Sequence, residues 1–279
     1  MIESLNRIAA IDGLSLAGKS TMVAMIAERA VNAEVVRENT FDPHRKTTSF
    51  VNKELKSNDL QIAVGTASSQ FPESEEILRE ALHYSRDYSP KVQKQALLAY
   101  LFTAGRKVVD GHVREAVKGK DVILDRWQVT GWAYQVDPVR YTWQDIKRLN
   151  EDFGIVMPNV QIILTCSIDQ IPLRKSYRDK EGAGTAGQMS MGREHIILPA
   201  FIEIFDALQG VMSVAMIENA GTPTPDLTEQ IKQAIQTYGK VEELLRISGF
   251  ALQHDPIGDP EAFWLEPQRL QRIIGRQVR

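Results

Sequence analysis

Eight consecutive residues, Gly13-Leu14-Ser15-Leu16-Ala17-Gly18-Lys19-Ser20, fit the pattern G-x-x-x-x-G-K-[ST] and limit what this chain can fold into more than any other feature. Ahead of them runs Arg7-Ile8-Ala9-Ala10-Ile11, short, apolar and branched enough for a buried strand. Behind them runs Met22 to Ala30, rich in helix formers. A loop of this kind works at a strand-to-helix turn, where its backbone N–H groups and the positive end of the helix converge on phosphate oxygens. Gly13 to Ser20, with Thr21 next on the helix, are therefore the expected phosphate-binding set for ATP. In it Lys19 reaches the β- and γ-phosphates, and the Ser20 hydroxyl ligates the accompanying Mg2+.

Composition narrows the classes of partner. The 279 residues are 43% hydrophobic and 25% charged, enough for one large domain or a domain with an appendage. A formal net charge of -3 argues against a nucleic acid polymer as the main partner and leaves a nucleotide-sized anion open. The single cysteine, Cys166, excludes an internal disulfide framework and a cysteine-cluster zinc site, and its apolar neighbours suggest an inert buried thiol. No apolar run long enough for a membrane span and no basic-then-apolar leader is visible, so the expected setting is cytoplasmic, with no membrane.

In chain order, Glu34 to Asn39 reads as a second strand that turns polar at Arg37-Glu38, the end at which open α/β sheets collect ligands. Phe41 to Glu80 has poor periodicity and many turn formers, which predicts helices interrupted by a mobile loop. From Lys91 to Lys118 the apolar spacing predicts one long helix, with Phe102 and Arg106 four apart on one face. Asp121 to Arg126 reads as a buried strand ending in Asp125, the expected magnesium partner beside Ser20, and then Arg126.

Taken together, Leu101-Phe102-Thr103-Ala104-Gly105-Arg106, Asp125-Arg126-Trp127 and Thr130-Gly131-Trp132-Ala133-Tyr134-Gln135 resemble the thymidylate kinase family. There an L-F-x-A-x-R helix and a D-R-[YW]-x-x-S-x-x-A-Y-Q element build the acceptor site. The resemblance implies that Phe102 stacks on the acceptor base, Arg106 bonds a base carbonyl, and Arg126 with Arg37 holds the acceptor's 5′-phosphate. Thr130, Tyr134 and Gln135 would complete the sugar and base pocket. These roles suit the side chains, since a guanidinium fork binds phosphate oxygens in pairs and an aromatic face accepts any base.

Val160 to Cys166 predicts a central parallel strand, followed by a helix from Ile171 to Arg178. Gly182, Gly184 and Gly187 then mark a soft stretch between arginines. The resemblance makes Arg174, Arg178 and Arg193 candidate lid residues that act with Lys19 and Arg126 on the transferred group, whereas a basic surface loop is the plainer reading. A helix from Ile196 to Leu208, a strand from Val211 to Ile217 and a helix from Leu227 to Tyr238 complete a doubly wound sheet. The expected architecture is α/β, a five-stranded parallel sheet flanked by helices with the P-loop NTPase fold of nucleoside monophosphate kinases. Residues 1–238 form the expected kinase domain, and 239–279 an extension that packs on the core or on a partner subunit, with a homodimer as the expected assembly.

Two positions depart from the family pattern. Ser15 stands where a carboxylate usually reaches the acceptor sugar, and Gly105 stands where Asn or Asp commonly precedes the arginine, so an acceptor other than thymidylate is allowed. The sequence therefore predicts ATP-dependent, magnesium-assisted transfer of the γ-phosphoryl group to a small phosphorylated acceptor, a deoxynucleoside monophosphate. A kinase for a nucleoside or another small metabolite, and a nucleotide-binding protein without turnover, are the alternatives.

Overall fold

Strand β1, Ile8–Gly13, is buried along its whole length, as a central strand covered on both faces must be. In the computed structural model, which describes residues 7–37, 42–137, 140–180, 193–221 and 226–253, it runs into helix α1, Lys19–Arg29. There follow β2 (Ala33–Arg37), α2 (Arg45–Glu54), α3 (Leu60–Gln70), α4 (Glu75–Arg86), α5 (Gln93–Ala116) and β3 (Asp121–Asp125). The chain continues through α6 (Gln128–Tyr134), α7 (Trp143–Asp152), β4 (Val160–Thr165), α8 (Ile171–Lys180), α9 (Glu194–Leu208), β5 (Ser213–Glu218) and α10 (Leu227–Ile247).

The chain folds as two compact units. The first, made of the described residues of 1–36, 116–126 and 158–279, holds the sheet. Its five strands lie parallel in the order β2-β3-β1-β4-β5, with Ile11 opposite Asp125 on one side of β1 and Gly13 opposite Leu164 on the other. Strand ends of like direction are thereby gathered, and with them Asp12, Asp125 and Thr165. Helix α1 packs on β1 and β3, and α9 and α10 on β5. Where β1 meets β4 the fit is close: a Cβ on Gly13, whose φ is +135°, would lie 1.9 Å from the Leu164 carbonyl oxygen, so only glycine fits. Helix α10 passes through Tyr238 and Gly239 unbroken, and residues beyond it return to α1, with Ala30 bridging Leu252.

The second unit, the described residues of 37–115 and 127–157, is helical. Val51, Leu55, Ala63, Val64, Ala67, Leu78, Ala81, Leu97 and Leu101, from α2 to α5, form its apolar core. The segment in which helices interrupted by a loop were expected holds three helices joined by short connections among its described residues. Local signals account for this: Asp59 caps α3 by accepting from the Ile62 N–H at 2.9 Å, and Pro72 opens a short 3-10 turn leading into α4. Thr142 and Asp145 form a capping box at α7. Trp132 and Trp143 stack at 6.2 Å in the interior, and the thiol of Cys166, in the first unit, is buried.

No helix among the described residues is long and apolar enough to cross a membrane. Of the expected extension, residues 254–279 lie outside the described residues, as do Glu38 and the glycine-rich stretch 181–192.

Candidate active site

In the sheet-bearing unit, the strand-to-helix turn is held by its own backbone. The Leu14 N–H donates to the Leu164 carbonyl at 3.0 Å, and the Met22 N–H donates to Gly18 at 3.0 Å. Leu16 and Gly18 both take left-handed φ values, 65° and 90°, which fold the loop back over the start of α1. Ser15 and Lys19 are buried, Ser20 is exposed at the second position of the helix, and Thr21 follows it half-buried. Leu14 and Ala17 are buried anchors of the loop.

The Lys19 ammonium donates to the carbonyls of Gly13 at 2.9 Å and Leu14 at 2.5 Å. Burial drives its pKa down to about 7, and the Arg126 guanidinium pushes the same way, while the carboxylates of Asp125 and Asp12 oppose them. Two cations and two carboxylates thus act on one another at the strand ends. Arg126 reaches this place through a strained turn: its φ is 71°, and its N–H donates to the Ile11 carbonyl at 3.1 Å.

Arg174, on α8, spends its guanidinium on backbone carbonyls. It donates to Leu16 at 3.0 Å, Asn219 at 2.9 Å and Gly221 at 2.7 Å, and to the Gln170 side chain at 2.8 Å. Asn219 adds a second tie by donating to the Ala17 carbonyl at 3.0 Å. The turn after β5 is therefore laced to the phosphate loop. Arg193 stands half-buried at the start of α9, and Arg178 lies on α8 with its side chain outside the described set.

In the helical unit, Phe102 and Arg106 share one face of α5, as their spacing requires. Phe102 is half-buried and Arg106 fully buried; the Arg106 guanidinium donates to Asn150 Oδ1 at 2.9 Å. Asn150 in turn donates to the Ile146 carbonyl at 2.6 Å. Thr130 is buried on α6. Tyr134 and Gln135 close that helix half-exposed, and the Gln135 Oε1 is buried and accepts no bond from the protein. Arg37 begins this unit half-buried at the end of β2.

Several residues that shape these places escaped the sequence reading. Asp12 is wholly buried and accepts from the Gln161 amide at 3.0 Å; the signal was a carboxylate closing the strand just ahead of the loop. Asn219 likewise follows a strand end. Asn150 and Asp42 gave no signal, since single polar residues in helical or turn-rich sequence are ordinary.

A five-stranded parallel sheet in this order, with a G-x-x-x-x-G-K-S loop leaving its middle strand, defines a P-loop NTPase fold. The chain carrying it is more narrowly placed: the family described as thymidylate kinase matches residues 45–194, over half of the sequence, and the chain belongs to that family. It is accordingly a nucleotide kinase, a phosphotransferase of the nucleoside monophosphate kinase kind. The matched span begins after the phosphate loop and takes in Phe102, Arg106 and Arg126. Thymidylate kinase from Candida albicans is similar in fold, with TM-score 0.54 and 16% identity over 90% of this chain and 96% of that one. Thymidylate kinase from Ehrlichia chaffeensis gives TM-score 0.50 and 15% identity over 86% and 98%. Among curated proteins none matches the chain.

Proposed function

We propose that the protein transfers the γ-phosphoryl group of ATP to a deoxynucleoside monophosphate. The observation that carries this reading is the pair of cations at the loop. Lys19 is buried where its charge is disfavoured and where Arg126 disfavours it further, an arrangement that a polyanion relieves. Bound polyphosphate would draw Lys19 away from the Gly13 and Leu14 carbonyls toward phosphate oxygens. In the helical unit, Phe102 offers a face for a base and Arg106 a donor for a base carbonyl. Arg126 and Arg37 are assigned to the acceptor phosphate, and Arg174, Arg178 and Arg193 to the donor side.

The donor set suits magnesium. Ser20 and Asp125 offer oxygen ligands, and Mg2+ on a nucleotide needs only one or two protein groups because phosphates and waters supply the rest. Among the described residues no group of three His, Cys, Asp or Glu side chains gathers that could hold a metal ion. A magnesium ion held by Ser20 and Asp125 would supply positive charge against the nucleotide's phosphates. Lys19 and Arg126 then stabilise charge on the transferring group, with little covalent work for the protein.

The Candida albicans structure is described in terms of broad substrate specificity, and here Ser15 and Gly105 remove side chains expected near the acceptor. Identity of the base is therefore best read by experiment. Steady-state ATP consumption with a panel of nucleosides and nucleoside monophosphates tests the proposal. Turnover that requires the acceptor's phosphate supports it, turnover of free nucleosides alone moves the activity to a nucleoside kinase, and none with any acceptor leaves a nucleotide-binding protein.

A further inference from the structure

Gly105 leaves a gap on the face of α5 that also carries Phe102 and Arg106, at relative positions i, i+3 and i+4. The gap is filled from another segment. A Cβ on Gly105 would lie 2.5 Å from Asp42 Oδ2, 2.6 Å from its Cγ and 2.7 Å from its Oδ1, so the Asp42 carboxylate rests directly on the bare helix backbone. A carboxylate is thus delivered to the place where the family pattern puts an Asn or Asp side chain, from residue 42 rather than residue 105.

Arg106 is accommodated in a matching way. A Cβ on Gly131 would lie 2.8 Å from its Nη2 and 3.1 Å from its Nη1, so the guanidinium lies against the backbone of α6, with Nη1 also donating to Asn150 Oδ1 at 2.9 Å. Two glycines make room for two opposite charges. The Asp42 carboxylate is itself oriented, since Oδ1 accepts from the His44 N–H at 2.8 Å. Burial raises its pKa, while the His44 N–H and the charges of His44, Arg45 and Arg106 oppose that rise and favour the ion.

We propose that Asp42 is a specificity-determining residue of the acceptor site, its carboxylate accepting the ring N–H of the acceptor base while Arg106 donates to the adjacent carbonyl. The assignment rests on the reading of Phe102 and Arg106 as the base site. It has a definite chemical content. An acceptor beside a donor matches a lactam edge, N–H next to C=O, as in thymine, uracil and guanine. Cytosine and adenine present the reverse, a ring nitrogen lone pair beside an amine, which would set lone pair against carboxylate and amine against guanidinium. Buried polar groups left opposed or unpaired discriminate far more strongly than a missing methyl group does.

The plainer alternative is that Asp42 only caps the turn into α2 through its bond to His44. The two part in their effect on base selectivity, which a turn cap does not touch. The experiment is kcat/KM on the full chain for thymidylate, deoxyguanylate, deoxycytidylate and deoxyadenylate, with Tm measured alongside. The parent should favour the lactam pair by roughly a hundredfold. Asp42→Ala should bring that ratio to within about fivefold, while Asp42→Asn, whose amide oxygen still accepts an N–H, should keep part of it. Gly105→Ala, which retains Asp42 but evicts its carboxylate, should collapse the ratio like Asp42→Ala. Preference for cytosine or adenine in the parent overturns the proposal, and so does an unchanged ratio in Asp42→Ala or Asp42→Asn, whatever happens to Tm. Those results leave the monophosphate reading standing. A parent that phosphorylates no monophosphate defeats that reading, and the role of Asp42 with it.

Discussion

The guanidinium of Arg174 donates to the carbonyl of Leu16, the one non-glycine residue of the phosphate loop with a left-handed backbone. The bond fixes a strained peptide in the loop proposed to hold the phosphate chain. Arg174→Ala should weaken ATP binding about tenfold, equivalent to roughly 1.4 kcal/mol for one charge-assisted bond. Amides of residues 14–18 should also exchange faster with solvent. Titration calorimetry and hydrogen exchange check this. Unchanged exchange with weakened binding would mean that Arg174 meets the nucleotide itself and does not position the loop.

Lys19 gives the protein a pH signature. Its folded pKa is lowered to about 7 by burial first and then by Arg126, against 10.5 when unfolded. Below pH 7 the ammonium is charged in both states and the burial penalty is fully present. Between 7 and 10.5 the unfolded chain holds the extra proton, so this residue's contribution to stability rises with pH. Lys19→Met should therefore raise Tm at pH 6, with the gain shrinking as pH approaches 10, and should abolish phosphoryl transfer throughout. A gain independent of pH would show that Lys19 is not the titrating group. ATP binding at pH 8 should take up protons, visible as a dependence of binding enthalpy on the buffer's ionisation heat.

Arg126 holds a left-handed φ of 71° at the end of β3. That conformation costs a non-glycine residue about 1–2 kcal/mol, and glycine avoids the cost while losing about 0.5–1 kcal/mol in chain entropy. Arg126→Gly should thus leave Tm unchanged or slightly higher while acceptor kcat/KM falls by a hundredfold or more. A large drop in Tm with intact turnover would make Arg126 a structural residue.

Asn150 accepts a bond from buried Arg106. Asn150→Ala should cost about 1.5–3 kcal/mol of stability by removing a bond to a charged group. It should raise KM for the acceptor more than KM for ATP if Arg106 meets the base as proposed. Equal effects on both substrates in steady-state kinetics would count against that role.

The sheet was legible because its signals are local: β1, β3 and β4 are short apolar runs bounded by turns, and strand-loop-helix chemistry at Gly13 to Ser20 fixes how they connect. Phe41 to Glu80 was only partly legible: α3 is apolar on several sides, which blurs its helical period, whereas α2 and α4 each bury one stripe, Thr47, Thr48 and Val51 in α2 and Leu78, Ala81 and Ser85 in α4, that their spacing carries. The phosphate loop and the Phe102–Arg106 face could be read from spacing alone. Asp42 could not: it meets Gly105 only through folding, 63 residues apart by subtraction of 42 from 105, and no spacing rule reaches that far. Gln161 was hidden for the opposite reason, as one amide within an otherwise apolar strand whose partner Asp12 lies on the neighbouring strand.

Helix α10 runs from Leu227 to Ile247 without a break, and the chain after it returns to the end of α1, where Arg29 donates to the Gln253 carbonyl at 2.7 Å and lies 3.5 Å from Glu242. Val241 and Leu245, past Tyr238, are wholly buried. The helix that begins with Lys19 is consequently moored at its other end by residues more than two hundred positions downstream. A protease cut or a stop codon near 238 would sever one cooperative element and not release a tail, and the injury would be felt along the helix that begins at the phosphate loop. A genetic screen for loss of activity should therefore return lesions near residues 241–253 as well as in the loop itself.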